Sequence, residues 1–133
     1  MHGHAQKEFF VNEAHALIDM LLHTAVESEA DVPPTVKEDG RCWLIGNSPT
    51  GEWSDYAGNL AGWISGTWMF ITPQNGMRIM DLATGQTIFY ANGWQRAETP
   101  AIPSGGQIVD AEARQAIDHL IQSLRSAGIL SAP

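Results

Sequence analysis

One cysteine, two tyrosines and seven lysines and arginines are all that 133 residues contain of those types. A lone Cys42 excludes an intrachain disulfide. Lying beside Trp43 in an apolar run, it reads as a small buried hydrophobe and not as a nucleophile. Seven basic against fifteen acidic side chains leave a net charge of −8. That excludes nucleic acid as a partner, because phosphate contacts need clustered Lys and Arg. No run of ~18 apolar residues occurs, so no membrane insertion is expected. The first residues lack a basic region followed by an apolar run, so no secretory signal is expected either. The remaining balance, 44% hydrophobic and 17% charged, is that of one globular domain with a modest core.

Catalytic signatures are missing as well. There is no Gly-x-Ser-x-Gly, no phosphate-binding Gly-Lys-Ser/Thr and no His-Glu-x-x-His. Cys42, His15 and Asp19 are not selected by spacing as nucleophile, base and orienting group. Asp55 and Asp81 do not declare themselves a carboxylate pair for glycoside cleavage. His2 and His4 form a His-x-His, which falls short of the three or four rigid ligands of a stable metal site. The sequence therefore predicts no enzyme, no cofactor and no metal.

What is present is concentrated in residues 40–94, which hold all five tryptophans, Trp43, Trp53, Trp63, Trp68 and Trp94. Large rings among frequent glycines read as a compact β-module with an aromatic core. Strands are expected at 42–45, 60–64, 68–72, 77–82 and 86–90. Ser65-Gly66-Thr67 reads as a three-residue hairpin loop. Asn92-Gly93 is the strongest short hairpin signal, since both central residues of a type I′ turn need positive φ. The turn spacing predicts an antiparallel meander. Residues 25–30 alternate weakly, as an edge strand guarded by Glu27 and Glu29 would, and Pro33-Pro34 ends that segment.

Two helices flank the module. In residues 6–23, Ala14, Leu17, Ile18, Leu21 and Leu22 recur on one face, with Asn12 placed as an N-cap. The preceding Phe9, Phe10 and Val11 form either an extra helical turn or an extended arm that docks on a neighbour. The second helix has Asp110 as N-cap, Arg125 in the last turn and Gly128 just beyond. Its Ala113, Ile117, Leu120, Leu124 and Ala127 keep the spacing of a coiled coil, and Ile121 widens the stripe. A helix of that length is stable only if packed. Its partner is either the first helix or the same helix in other copies. The fold class expected is thus α+β. Residues 1–23 form an arm and helix, 24–97 the Trp-rich module, 98–109 a linker and 110–130 an oligomerisation helix. Trp53, Tyr56, Trp63 and Trp94 are candidate sugar contacts, because flat rings suit the apolar faces of sugars; the competing reading is that such rings build the core.

The ordered pieces Ala5-Gln6-Lys7-Glu8 with Asn12-Glu13-Ala14, Gly40-x-Cys42-Trp43, Thr50-Gly51-x-Trp53, Gly66-x-Trp68-x-Phe70-x-x-Pro73-x-x-Gly76 and Val109-Asp110-Ala111-Glu112-Ala113-Arg114 span almost the whole chain. In these the chain resembles a domain-of-unknown-function family from alphaproteobacterial phages, prophages and gene-transfer-agent-like clusters, associated with phage tails. Members of that family often carry further β-rich sequence after the position of Trp94, which is short here. The resemblance implies a virion protein assembled in the host cytoplasm, with no catalytic residues. It would be a homo-oligomer, with a trimer favoured by analogy with tail fibres, that attaches to neighbouring tail proteins through Phe9, Phe10 and Val11. The alternative is a module recognising a bacterial surface glycan.

Overall fold

In the computed structural model, residues 2–133 are described, with side chains from Ala5 onward. The His2 and His4 side chains lie outside the described residues. Helix α1 spans His2–Leu22 without a break. Asn12 is therefore an exposed mid-helix residue and not a cap, and Phe9, Phe10 and Val11 belong to the helix and not to an extended arm. The Thr24 hydroxyl donates to the Leu21 carbonyl and closes the helix end.

The strands that follow are β1 (Ala25–Val26), β2 (Glu29–Ala30), β3 (Cys42–Ile45), β4 (Leu60–Ile64), β5 (Thr67–Ile71), β6 (Arg78–Asp81), β7 (Gln86–Tyr90) and β8 (Trp94–Gln95). They form two four-stranded sheets and not one meander, in the orders β1-β6-β7-β8 and β2-β3-β4-β5. The expected edge strand is two short strands, each adding in parallel to a different sheet: β1 to β6 and β2 to β3. Residues 24–31 thereby stitch the sheets together. The class is α+β, with both helices outside the sheets.

Side-chain alternation sends Val26, Cys42, Leu44, Leu60, Ile79 and Ile88 inward, where they form the core between the sheets together with Met20. Met20 reaches this core because Gly62 has no side chain: a Cβ there would collide with the Met20 methyl and sulfur. The opposite pleat of β3, β4 and β5 carries a second cluster of Trp43, Ile45, Ala61, Trp63, Trp68 and Phe70, with Trp53 packed on it. Its register depends on a two-residue turn. Ser65 and Gly66 have φ of 51° and 79°, and Trp63 pairs with Trp68 across the hairpin. Thr67 is a strand residue and not part of the loop.

Helix α2 (Ala111–Ser126) is capped by Asp110, whose carboxylate accepts from the Ala113 N–H at 2.9 Å. Among the described residues it makes no extensive contact with α1, and its stripe is covered only in part. Ile121 is buried, and Gly128 sits against Met80, Gly85 and Thr87 on the outer face of the first sheet. The Gln86 amide donates to the Ile129 carbonyl and the Ala132 N–H to Thr84, which anchors the chain beyond the helix to the β6–β7 hairpin.

Candidate functional site

The aromatic pleat of the second sheet and the outward half of α1 enclose a cleft of about 570 Å³. Phe9, Asn12 and Glu13 line it from the helix, Thr67, Trp68 and Phe70 from β5, and Tyr56 closes one side. β5 supplies Trp68 and Phe70 to one face because they are two residues apart on a strand. Tyr56 stacks flat on Phe70 with centroids 3.6 Å apart, and it is held there by the turn that follows the short 3₁₀ segment Gly51–Trp53. Trp68 is the hub of the rings: Trp43, Trp53 and Trp63 each meet it edge to face at 5.0 to 5.8 Å. The Lys37 ammonium lies 4.7 Å over the Trp63 ring, within range of a cation–π contact.

The four rings expected to contact sugar are not one platform. Trp53 is fully buried and offers no surface to a ligand, which corrects that expectation for it. Trp94 is half-buried on the other sheet, where its indole N–H donates to the Gly58 carbonyl at 2.8 Å and its ring meets Tyr90 edge to face. Trp63 is half-buried beneath Lys37. Only Tyr56 combines exposure with a place on the cleft. Phe70, its stacking partner, went unnoticed in the sequence. The signal for it was there: Trp68-x-Phe70 is a two-residue spacing, which in a strand means one face.

Chemically the cleft can stack a flat apolar ring and hydrogen-bond through Asn12, Glu13 and Thr67. Among the described residues the ionisable side chains lining it are Glu13 and Tyr56. Among the described residues no group of three or more His, Cys, Asp or Glu could hold a metal ion. Cys42 is buried between the sheets, and burial pushes its thiol from the ordinary 9.0 up to about 12; a backbone hydrogen bond with Trp43 opposes this and the Glu27 charge adds to it. The gap between 9.0 and about 12 is a factor of about a thousand in thiolate population at neutral pH. Reaction with a thiol reagent at pH 8 should therefore run at least a hundredfold slower in the native protein than after unfolding in urea. Equal rates would refute the burial. A thiol harder to ionise when folded favours the fold fully below pH 9, and that stabilisation is lost as pH rises from 9.0 toward about 12.

The other expected site residues divide by helix. In α2, Ile121 is buried on its own chain and Leu124 is half-buried, while Ala113, Ile117, Leu120 and Ala127 face solvent, Leu120 with 60% of its surface. The stripe is split, one edge packing internally and the other left open. In α1, Phe9 turns to the cleft, and Phe10 and Val11 are exposed on other faces. Among the described residues no helix is long and apolar enough to cross a membrane.

No curated protein matches the chain. Residues 11–95, well over half of it, match the family described as "Protein of unknown function (DUF2793)". The matched stretch takes in the second half of α1 and both sheets, and leaves α2 outside. By that match the chain belongs to the DUF2793 family of proteins of unknown function.

Proposed function

We propose that this protein is a structural component of a phage or phage-like tail, at the distal tail, fibre or baseplate, where it works by assembling with copies of itself and attaching to neighbouring tail proteins. The observation that carries this reading is the apolar surface on its two helices. Phe10, Ile18, Leu22, Ile117 and Leu120 are all exposed while the sheets between them close their own core. Exposed apolar stripes of that extent mark interaction surfaces, and isolated helices are too weak to exist for their own sake. Its place would be the virion, reached after assembly in the host cytoplasm.

The test is localisation. Phage-like particles purified from cells that encode this chain are analysed by mass spectrometry, and antibody against the protein is imaged on them by electron microscopy. The protein should copurify and label the tail; its absence from purified particles would overturn the reading. The second reading, recognition of a surface glycan, is favoured by the exposed Tyr56 ring stacked on Phe70 at the mouth of the cleft. It predicts retention on a glycan array that Tyr56→Ala abolishes, and it fails if nothing is retained.

A further inference from the structure

Four strands stand at sheet edges: β1 and β8 in one sheet, β2 and β5 in the other. β1, β2 and β8 are two residues long, too short to pair with much. β5 is five residues long, and none of them is charged. Proteins usually guard an edge of that length with a charge, a proline or a cover, because its unpaired backbone is a template for another strand.

The open backbone groups of β5 follow from the ladder. The Trp63 N–H donates to the Arg41 carbonyl at 3.0 Å, and the Trp63 carbonyl accepts from the Gly40 N–H at 2.9 Å, so both groups point away from β5. Trp63 and Trp68 are therefore a non-hydrogen-bonded pair, and the N–H and C=O of Trp68 point outward. The ladder alternates, which turns those of Phe70 outward as well. Among the described residues no loop or helix backbone answers any of these groups. They open on the cleft. Thr67, Trp68, Met69 and Phe70 all line it, from both sides of the pleat, as a groove along a strand edge requires. Helix α1 bounds it on one side, where Met20 lies over Gly62 on the pleat of Met69, and Tyr56 bounds it on the other, stacked on Phe70.

We propose that the cleft takes an extended segment of a neighbouring protein, basic and apolar at alternate positions, which adds as a further strand to the open edge of β5. This rests on the attachment reading above and deepens it, by putting the attachment at this edge. The edge fixes the conformation of the occupant: Trp68 and Phe70 offer N–H and C=O pairs about 7 Å apart, the repeat of an extended chain. The walls fix its side chains, which would face α1 and Tyr56 in turn. Glu13 is half-buried on the helix wall and has no ion-pair partner among the described residues, so it calls for Lys or Arg. The Tyr56–Phe70 stack on the other wall suits an apolar residue. A second copy's β5 does not supply the base: residues 65–73 contain no Lys or Arg, and a chain of net charge −8 repels its own kind.

The whole protein is tested on an array of hexapeptides that alternate an apolar residue with Lys, Glu or Ser. At about 0.15 M salt the Lys peptides should be retained about tenfold more strongly than the Glu peptides, and Glu13→Lys should reverse that order. Amide exchange then separates strand addition from mere charge attraction. In the free protein the Trp68 and Phe70 amides should exchange about tenfold faster than those of Met69 and Ile71, and saturation with the best-retained peptide should slow them about tenfold. N-methylation of one alternating set of peptide amides should abolish retention, while methylation of the other set leaves it. Retention of no alternating peptide, equal retention of Lys and Glu peptides, or unchanged exchange at Trp68 and Phe70 would each overturn the proposal. So would a glycan that occupies the cleft and leaves those amides unprotected. If the protein is present in particles but no peptide protects the edge, the strand site is wrong and the tail reading stands. If a peptide protects the edge but the protein is absent from particles, the reverse holds.

Discussion

Trp53→Ala should lower the free energy of unfolding by about 3–5 kcal/mol, the range for truncating a large ring in a packed core. Trp53 is fully buried and touches the hub of the second cluster, with its ring 5.2 Å from Trp68 at 73°. It comes from a 3₁₀ turn outside the sheet and packs onto the aromatic cluster of β3, β4 and β5. A loss of that size is a large fraction of the 5–15 kcal/mol that a domain usually has. Trp53→Phe separates shape from polarity. It keeps most of the ring and removes an indole N–H that has no acceptor among the described residues, so it should cost under about 2 kcal/mol. Tyr56→Ala, at the exposed edge of the same cluster, should cost still less. Urea unfolding followed by tryptophan fluorescence gives all three values. A loss below about 1 kcal/mol for Trp53→Ala would mean that the cluster is surface decoration and that the rings are free for a ligand.

The contrast matters for function because it divides the aromatic residues between structure and contact. Trp53 and Trp68 are buried, Trp43 and Trp63 support them, and Trp94 locks the edge of the other sheet to Gly58. The five tryptophans are therefore chiefly the means by which a short chain fills two core layers. What they leave for recognition is narrow: the Tyr56–Phe70 stack and the helix facing it.

Much of this was legible beforehand. Strands 42–45, 60–64 and 86–90 fall where alternation and turns place them. The cap at Asp110 and the positive φ of Gly128 match as well. What was not legible has physical reasons. The weak alternation of residues 25–30 marked an edge strand, but not that it divides into β1 and β2, two residues each, which pair in parallel with β6 and β3 in different sheets; no local pattern encodes that division. Asn12 is a favoured cap residue just ahead of the apolar stripe, which places the expected start of α1 there, whereas the helix runs unbroken from His2. The hairpin at Ser65 shows how small an error matters. A three-residue loop would set Ile64 opposite Trp68 and put Trp63 and Trp68 on different faces; the two-residue turn sets Trp63 opposite Trp68 and creates the cluster. The cleft arises where α1 passes the aromatic pleat, a meeting of elements fifty residues apart, and no spacing in the sequence encodes it.

Arg96→Met should destabilise the fold by about 3 kcal/mol, the low end of the cost of stripping a buried charge of its partner. Asp81 is 1% exposed, and its carboxylate receives the Arg96 guanidinium at 2.7 Å and the Ala83 N–H at 3.0 Å. Arg96 also reaches Glu29 at 3.2 Å, so one side chain joins β6 of the first sheet to β2 of the second. Without it the buried carboxylate keeps a single protein donor, the Ala83 N–H, which is the expensive outcome. Glu29→Gln removes only the wetter contact and should cost no more than ~1 kcal/mol. The sign of the coupling is the decisive measurement. In an Asp81→Asn background the buried charge is already gone, so Arg96→Met should cost clearly less there than in the wild type. The effect should also be local. The Met80 and Leu82 amides, which bond to the Thr24 and Val26 carbonyls across the joint, should exchange with deuterium faster in Arg96→Met than the amides of the β4–β5 hairpin. Equal losses in both backgrounds, with uniform exchange, would show that Arg96 acts through packing alone and that the sheets are held together by Val26 and its neighbours without help from charge.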